Sequence, residues 1–277
     1  MRIGRGVLAA FVLFLSGCGE DAGGTEHTAV NGSESPQTEQ ETKLEEEKKE
    51  LREEETKETS AQPSENIVQN YQINQINWKI EPIDGTNEKV ALLTIDDAPD
   101  QYSLEMAKKL KELNTSAIFF VNGHFLETDE KKQILKQIYD LGFEIGNHTY
   151  SHASLPDIDE EKQREEIVKV NDMVEEITGE RPRFFRAPFG RNTEFSKQVV
   201  KAENMQLMNW TMGYDWEKQY QSKDALVKIM LTSNELYPGA NLLMHDREWT
   251  KDALPGIVEG LRAKGYKLLD SHEIKSF

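Results

Sequence analysis

Cysteine is almost absent from this sequence, with Cys18 as the single cysteine among 277 residues. A lone cysteine cannot form a disulfide within the chain, so a hydrophobic core must hold the folded part together. Positive charge is also scarce: 33 lysines and arginines stand against 50 acidic residues, a net charge of −17. This balance disfavours nucleic acid as a partner, because phosphate binding needs an excess of basic side chains.

Long apolar runs are missing near the N-terminus, where the apolar stretch at residues 7–15 is too short to span a bilayer. Arg2 and Arg5 precede this stretch and Leu-Ser-Gly-Cys, at 15–18, ends it, which is typical of a secretory signal. The segment resembles a bacterial lipoprotein signal. It predicts a signal peptide at 1–17, lipid modification of Cys18 and an extracytoplasmic, membrane-anchored protein. A buried cysteine without a lipid is the alternative.

Apolar periodicity is absent from the next segment, which is rich in Glu, Thr, Ser and Gln. From Glu20 to Asn66 there are fifteen acidic and five basic residues, so this stretch holds −10 of the net charge. Such a composition buries too little apolar surface to offset the entropy lost on ordering. We therefore expect a disordered acidic linker at 18–67. An acidic tail that binds a partner is the alternative.

The remaining residues, 68–277, are long enough for one domain with a sizeable core and contain no visible repeat. Short apolar runs alternate with amphipathic segments; one of these, at 159–178, places apolar residues at helical spacing and ends at Gly179. Strands are predicted at 90–95, 117–121, 143–146, 184–186, 207–211, 242–245 and 266–269, and helices at 104–113, 131–141, 159–178, 194–202, 223–236 and 253–264. This alternation is typical of an α/β fold with parallel strands, and about seven units favour a barrel over an open sheet.

Two histidines four residues apart, His148 and His152, are the first candidates for a functional site. On a helical turn, residues i and i+4 share one face, so both imidazoles would reach one metal ion. Asp96 and Asp97 follow an apolar run, and a hydrolytic metal site usually adds a carboxylate and leaves a position open for water. One aspartate would then be a ligand and the other a base. Helix capping is the alternative for the pair.

Other conspicuous polar residues follow the predicted strands in the same way. Arg186 ends the fourth strand, Asp215 follows the fifth and His245 ends the sixth. The C-terminal ends of the strands form the face where α/β barrels assemble their active sites, so these residues are expected to converge. Each has a simpler interpretation: Arg186 as a surface residue, His245 as a strand-end histidine with satisfied hydrogen bonds, and the neighbouring Trp216 as part of the core.

Five segments, in this order and spacing, resemble the motifs of the polysaccharide deacetylase family, the NodB-homology group of family 4 carbohydrate esterases. They are Thr-Ile-Asp-Asp-Ala-Pro at 94–99, His-Thr-Tyr-Ser-His at 148–152, Arg-Ala-Pro-Phe-Gly at 186–190, Asp-Trp at 215–216 and Leu-Met-His at 243–245. The resemblance covers about residues 88–270. It implies a deformed (β/α) barrel, in agreement with the strand count.

The resemblance also implies a role for each residue of the motifs. Asp97, His148 and His152 would hold a divalent metal, commonly zinc, with cobalt or nickel as other possibilities. Asp96 would be the general base, paired with Arg186, and His245 the general acid, oriented by Asp215. The backbone N–H of Phe189 would stabilise the oxyanion, and Trp216 and Leu243 would line the pocket for the acetyl methyl group.

The chemistry of amide hydrolysis requires residues of these types. A bound metal lowers the pKa of water towards about 7, and a carboxylate takes the proton. An amine leaves poorly unless it is protonated, and histidine titrates near the working pH. Ile95, Ala98 and Phe189 depart from the residues more usual in the family, but no catalytic position is missing.

We therefore expect a lipid-anchored, metal-dependent hydrolase that removes N-acetyl groups from an envelope glycan, either peptidoglycan or poly-N-acetylglucosamine. The anchor and the linker would place the domain, expected to be a monomer, beside the cell wall. An O-acetyl esterase acting on xylan or a related sugar is the alternative within the class. A glycan-binding lipoprotein without catalysis is the alternative from another class.

Overall fold

The computed structural model describes residues 68–275. The predicted signal peptide, the lipidated Cys18 and the acidic linker at 18–67 therefore lie outside the described residues. None of the helices between residues 68 and 275 has the length and apolar character that a membrane span requires.

A parallel sheet of seven strands forms the centre of the domain. Its strands are β3 (Val90–Ala98), β4 (Ile118–Val121), β5 (Glu144–Asn147), β6 (Phe184–Phe185), β7 (Gln206–Leu207), β8 (Ala240–His245) and β9 (Lys267–Leu268). Their order is β7-β6-β5-β4-β3-β8, and β9 pairs with the beginning of β3. The short apolar strands that the sequence predicts are buried along almost their whole length, as expected for a parallel sheet covered on both faces.

The sheet curls into a barrel because the chain after β7 returns to the opposite edge. Thr211 donates its backbone N–H to the carbonyl of Asn241 (2.9 Å), and Leu243 donates to the carbonyl of Met212 (2.9 Å). These bonds join the end of the β7 segment to β8. The prediction of a deformed (β/α) barrel with about seven strands is confirmed.

Six helices cover the outside of the barrel: α1 (Ser103–Glu112), α2 (Asp129–Asp140), α3 (Glu160–Thr178), α4 (Glu194–Ala202), α5 (Lys223–Thr232) and α6 (Glu248–Ala263). Local signals in the sequence set several of their ends. The Asp159 carboxylate accepts from the N–H of Lys162 at the start of α3, and Gly179 ends that helix in the left-handed conformation. The largest apolar cluster lies between these helices and the outward-facing residues of the strands, such as Leu93.

A small antiparallel hairpin, absent from the sequence prediction, precedes the barrel and covers the opening at the N-terminal ends of its strands. It consists of β1 (Tyr71–Ile73) and β2 (Ile80–Pro82). Tyr71 and Ile80 are fully buried against inward-facing residues that include Leu92. The hairpin therefore completes the inner core, and Trp78 in its turn packs at the edge of that core.

Several predicted boundaries are wrong. The strand predicted at 207–211 is reduced to Gln206–Leu207, because the chain leaves β6 there and crosses to β8. The helix predicted at 223–236 ends at Thr232. The last helix begins at Glu248, five residues before the predicted 253, and Pro255 lies in the middle of this 16-residue helix.

Candidate active site

The adjacent carboxylates Asp96 and Asp97 lie at the C-terminal end of β3, within the strand and not after it as the sequence suggested. Neighbouring side chains in a regular strand point to opposite faces. Here the pairing of β3 with β4 shifts register between Ile95 and Ala98, and Asp97 adopts the left-handed conformation with φ of 62°. This bulge brings both carboxylates to one pocket, which is a known use of bulges beside active sites.

Asp97, His148 and His152 form a cluster whose potential ligand atoms all lie within 4.8 Å of one another. The Oδ1 atom of Asp97 is 4.0 Å from Nε2 of His148 and 3.6 Å from Nε2 of His152. Ligand atoms on one zinc ion lie roughly 3–4 Å apart, because the bonds are about 2.0–2.2 Å long. Two imidazoles and one carboxylate with this spacing could hold a divalent metal.

The prediction that His148 and His152 share one face of a helical turn is wrong. Residues 148–152 form no helix, and Thr149 and His152 have φ of 68° and 60°. His148 follows β5 directly, and the irregular chain after it turns back so that the two rings meet edge to face, with centroids 5.0 Å apart. The spacing of four residues therefore works through a loop and not through a helical face.

Hydrogen bonding fixes the orientation of His148. Its Nδ1 lies 2.7 Å from the carbonyl oxygen of Arg186, which can only accept, so Nδ1 carries the proton. In the neutral ring, Nε2 then presents a lone pair towards Asp97, as a metal ligand must. The tautomer of His148 therefore fits a metal as well as the spacing does.

The electrostatic environment also favours the protonation states in which Asp97 and His152 bind metals. Burial opposes ionisation of Asp97, but the charges of His148, His245 and Arg247 outweigh it and lower the pKa of the carboxyl. Burial, followed by repulsion from His148, lowers the pKa of His152. A deprotonated carboxylate and a neutral imidazole are the states in which these residues bind metals.

Asp96 forms a buried ion pair with Arg186. The Nη1 atom of Arg186 is 2.7 Å from Oδ1 of Asp96, and both side chains are almost completely buried. The same Nη1 donates to Oγ1 of Thr94 (2.8 Å), and Nη2 donates to the carbonyl of Asn209 (2.9 Å). The second oxygen of Asp96, Oδ2, lies 3.5 Å from Nε2 of His148, so this carboxylate faces the cluster without being held there.

A glycine makes room for the aromatic ring that supports this arginine. The guanidinium of Arg186 lies over the ring of Phe120, 4.3 Å from its centroid. A Cβ atom at Gly146 would lie only 2.5 Å from that ring. Glycine at position 146 is therefore required by packing next to the site.

His245, the last residue of β8, is paired with the fully buried Asp215. Its Nδ1 donates to Oδ1 of Asp215 (2.7 Å), and the backbone N–H of His245 donates to Oδ2 (2.6 Å). Thr250 also donates to this carboxylate (2.7 Å). Burial lowers the pKa of His245, but the charge and the hydrogen bond of Asp215 outweigh it and raise the pKa above its ordinary value. The sheet register places His245 directly opposite Asp96.

These groups surround one cavity of about 430 Å³ at the C-terminal ends of the strands. Phe189 has φ of 59° and packs its ring on His152, with centroids 4.9 Å apart. Trp216 is 46% exposed, and its ring packs edge to face against the imidazole of His245, with centroids 5.5 Å apart. Leu243 and Trp210 complete the apolar part of the lining. Every site residue singled out in the folded part of the sequence lines this cavity, except Arg186, which supports Asp96 from beneath.

Arg247 is one of two residues lining the cavity that sequence reasoning missed, the other being Trp210. Its Nη2 donates to Oδ2 of Asp97 (2.7 Å), so the other oxygen of that carboxylate is left facing the histidines. The neighbouring Asp246 is buried and accepts from the backbone N–H groups of Tyr102 and Ser103, which fixes the start of α1 beside the pocket. The position of Asp246 and Arg247 directly after His245 was the signal in the sequence that could have identified them.

Comparison with known proteins places the chain in a family. The sequence profile described as "Polysaccharide deacetylase" matches residues 83–208. A peptidoglycan-N-acetylglucosamine deacetylase of Bacillus cereus is 31% identical over 191 residues, which cover 66% of this chain and 67% of that protein. The chain belongs to the polysaccharide deacetylase family.

Two further relatives of this polysaccharide deacetylase have a similar sequence identity. The peptidoglycan-N-acetylmuramic acid deacetylase PdaA of Bacillus subtilis is 29% identical over 208 residues, or 69% of this chain and 75% of that protein. The crystal structure of a CE4 family pseudoenzyme from Bacillus anthracis is 28% identical, with a TM-score of 0.61 and coverage of 67% of this chain and 65% of that one. Since a pseudoenzyme shares the fold, the arrangement of the side chains must support any catalytic proposal.

The pairing of His245 with Asp215 yields a testable prediction. Asp215→Asn removes the negative charge that raises the pKa of His245. The imidazole should then lose its proton at a lower pH, by about one to two pH units, because a hydrogen bond to a charged group is lost. NMR titration of the imidazole protons in chelator-treated protein measures the change.

The control for this titration is His272, whose pKa is raised by Asp270 at a position that does not line the pocket. Its titration should be the same in both proteins. An unchanged midpoint for His245 in the variant would contradict the assignment of its raised pKa to Asp215.

Proposed function

We propose that this polysaccharide deacetylase removes N-acetyl groups from an envelope glycan by metal-dependent hydrolysis, with peptidoglycan as the favoured substrate class and poly-N-acetylglucosamine as the second. The relatives from Bacillus cereus and Bacillus subtilis, whose names specify peptidoglycan sugars, support the substrate class. One observation carries the proposal: a single cavity brings together an Asp–His–His cluster, a carboxylate paired with arginine and a histidine paired with aspartate.

The metal would be held by Asp97, His148 and His152, with zinc as the proposed ion. When bound, such an ion supplies Lewis acidity, which polarises the amide carbonyl and lowers the pKa of water to about 7. Arg247 holds the outer oxygen of Asp97 and so fixes which oxygen faces the two imidazoles.

Asp96 acts in this proposal as the general base. Arg186 occupies its Oδ1 and leaves Oδ2 facing the cavity. Oδ2 then accepts a proton from the attacking water. A buried carboxylate with a fixed orientation suits this task, because proton transfer requires the acceptor within hydrogen-bond reach of the water.

His245 acts as the general acid. Asp215 holds Nδ1–H and raises the pKa of the ring, so Nε2 carries a proton near neutral pH and donates it to the amine nitrogen as the C–N bond breaks. Because β3 and β8 are in register at Asp96 and His245, the base and the acid occupy opposed positions on neighbouring strands. The water and the leaving nitrogen would lie between them.

The remaining lining residues bind the acetyl group. We assign the backbone N–H of Phe189 to the developing oxyanion, since a fixed donor at this position stabilises charge without reorganisation. Trp216 and Leu243 offer apolar surface to the acetyl methyl group. An acetyl ester would fit the same site, so an acetylated xylan is the informative parallel substrate.

Acetate release tests the proposal. The protein, supplied with zinc or cobalt, should release acetate from N-acetylglucosamine oligomers or peptidoglycan, and a chelator should abolish the release. Acetylated xylan serves as the parallel substrate. Acetate from xylan alone would make the protein an O-acetyl esterase with the same site. No acetate from any of the three glycans would favour a glycan-binding protein without catalysis.

Two substitutions separate the roles of the adjacent aspartates. Asp97→Ala should abolish metal retention and activity together. Asp96→Asn should retain the metal but lower kcat at least about 100-fold, because general base catalysis typically contributes a factor of this size or more. Metal content after dialysis and acetate release are measured for each variant.

The matched control for these variants is Asp140→Asn, on the exposed end of α2, which should change neither quantity. Loss of metal from Asp96→Asn with retention in Asp97→Ala would exchange the two roles.

We also propose that Cys18 is lipid-modified and anchors the protein outside the cytoplasmic membrane. The support is the sequence of residues 2–18, with basic residues, a short apolar run and a cysteine after small residues. Cys18→Ala should either release the protein to the soluble fraction or leave it at the membrane as a larger precursor with an uncleaved signal peptide. Variant protein of the mature size in the membrane fraction, measured by fractionation and immunoblotting, would exclude the anchor.

A further inference from the structure

Asp215, the partner of His245, lies in a part of the chain that has little regular structure of its own. Residues 208–217 form no helix and share one isolated bridge with β8, at Met212. Ordering such a segment costs conformational entropy, which contacts elsewhere must offset. The position of Asp215 therefore depends on contacts with other elements of the fold.

The first turn of α6 supplies two of these contacts. Oγ1 of Thr250 donates to Oδ2 of Asp215 (2.7 Å), and Nε1 of Trp249 donates to the backbone carbonyl of Asp215 (2.8 Å). Thr250 and Asp215 are both fully buried, and Trp249 packs against the largest apolar cluster. Two adjacent side chains of one helix thus hold the carboxylate and the backbone of the same residue.

These contacts determine how the carboxylate faces His245. Oδ2 accepts two hydrogen bonds, from Thr250 and from the backbone N–H of His245 (2.6 Å), and Oδ1 accepts one from Nδ1 of the imidazole (2.7 Å). Within residues 68–275, Thr250 is the one donor to this carboxylate that does not belong to His245. Because Oδ2 is held from two sides, the plane of the carboxylate is fixed and Oδ1 stays directed at the ring.

The backbone of the same segment has little room to shift. Trp216, which follows Asp215 and lines the cavity, packs its ring over Gly213. A Cβ atom at Gly213 would lie 2.7 Å from that ring and 2.6 Å from the carbonyl oxygen of Leu243. The hydrogen bond from Trp249 to the Asp215 carbonyl is therefore made within a tightly packed turn.

We propose that Thr250 and Trp249 are positioning residues for the general acid: from the first turn of α6 they fix Asp215, and through it the direction of the His245 imidazole. The inference rests on the proposed function for the role of His245, and on the hydrogen bonds of Asp215 for the positioning. Neither residue lines the cavity. Their loss should therefore lower kcat and leave KM nearly unchanged, since proton transfer requires the acid within hydrogen-bond reach of the leaving nitrogen.

Kinetics of the full-length protein loaded with zinc test this role. Thr250→Val, which keeps the shape of the side chain and removes the hydroxyl, should lower kcat for the N-acetylglucosamine hexamer about tenfold, as expected for one lost hydrogen bond to a charged group. Thr250→Ser keeps the hydroxyl and should restore most of the activity. Thr232→Val, which removes an exposed hydroxyl at the end of α5, is the matched control and should leave kcat unchanged.

A double-mutant cycle distinguishes positioning through Asp215 from a general effect on packing. Thr250→Val should have almost no further effect on kcat in an Asp215→Ala protein, because the group through which it acts is already absent. An equal loss of kcat in both backgrounds would overturn the inference. Trp249→Phe, which removes the indole N–H and keeps an aromatic ring, should lower kcat about threefold, as expected for one lost hydrogen bond between neutral groups.

NMR of the chelator-treated protein separates this inference from the proposed function, because it needs neither metal nor substrate. Exchange of the His245 Nδ1 proton with water should be about tenfold faster in Thr250→Val and about threefold faster in Trp249→Phe, but unchanged in Thr250→Ser. If no glycan yields acetate but these exchange rates differ as expected, the positioning stands and the deacetylase proposal fails. If Thr250→Val and Trp249→Phe both fold and keep the original exchange rate and kcat, the inference is excluded.

Discussion

The buried ion pair between Arg186 and Asp96 is the interaction on which the rest of the site depends. It crosses the inside of the barrel, because Arg186 follows β6 while Asp96 belongs to β3, and these strands are not neighbours in the sheet. The same guanidinium contacts Thr94, the carbonyl of Asn209 and the face of Phe120. Removing one partner of such a pair typically costs about 3–5 kcal/mol, since a charge is left uncompensated in the interior. The same guanidinium therefore packs in the inner core and holds the proposed base in position.

Four residues of the site adopt a left-handed backbone conformation that non-glycine residues rarely adopt. Asp97, Thr149, His152 and Phe189 all have positive φ, although none is a glycine. Such residues cost of the order of 1–3 kcal/mol each and persist only where the surrounding structure compels them. The buried parallel strands supply that constraint. The strain concentrates where two adjacent carboxylates and two loop histidines must converge.

Asp96 and His245 have buried partners of opposite charge. Arg186 holds one oxygen of the Asp96 carboxylate, whereas Asp215 raises the pKa of His245, which lies opposite Asp96 in the sheet register. An acceptor and a donor of protons can therefore coexist within one small cavity. This division supports the catalytic proposal more directly than overall similarity does, since a CE4 family pseudoenzyme has the same fold.

Much of the fold was determined by local patterns that the sequence displays directly. Continuous apolar runs predicted the buried parallel strands, and the ends of α3 followed from Asp159 and Gly179. The order of the motifs also located the site at the C-terminal ends of the strands. The hairpin before β3 was missed because its three-residue strands become stable only against the inner core of the barrel.

Only the tertiary structure decided how the site is assembled. The bulge in β3, the loop that replaces a predicted helical turn at His148 and the contact of Arg247 with Asp97 all depend on segments distant in sequence. The sequence by itself determined which chemical groups are present and which strands carry them. Their directions were decided by packing, because side-chain orientation at a bulge or in a strained loop is set by neighbours that local sequence does not specify.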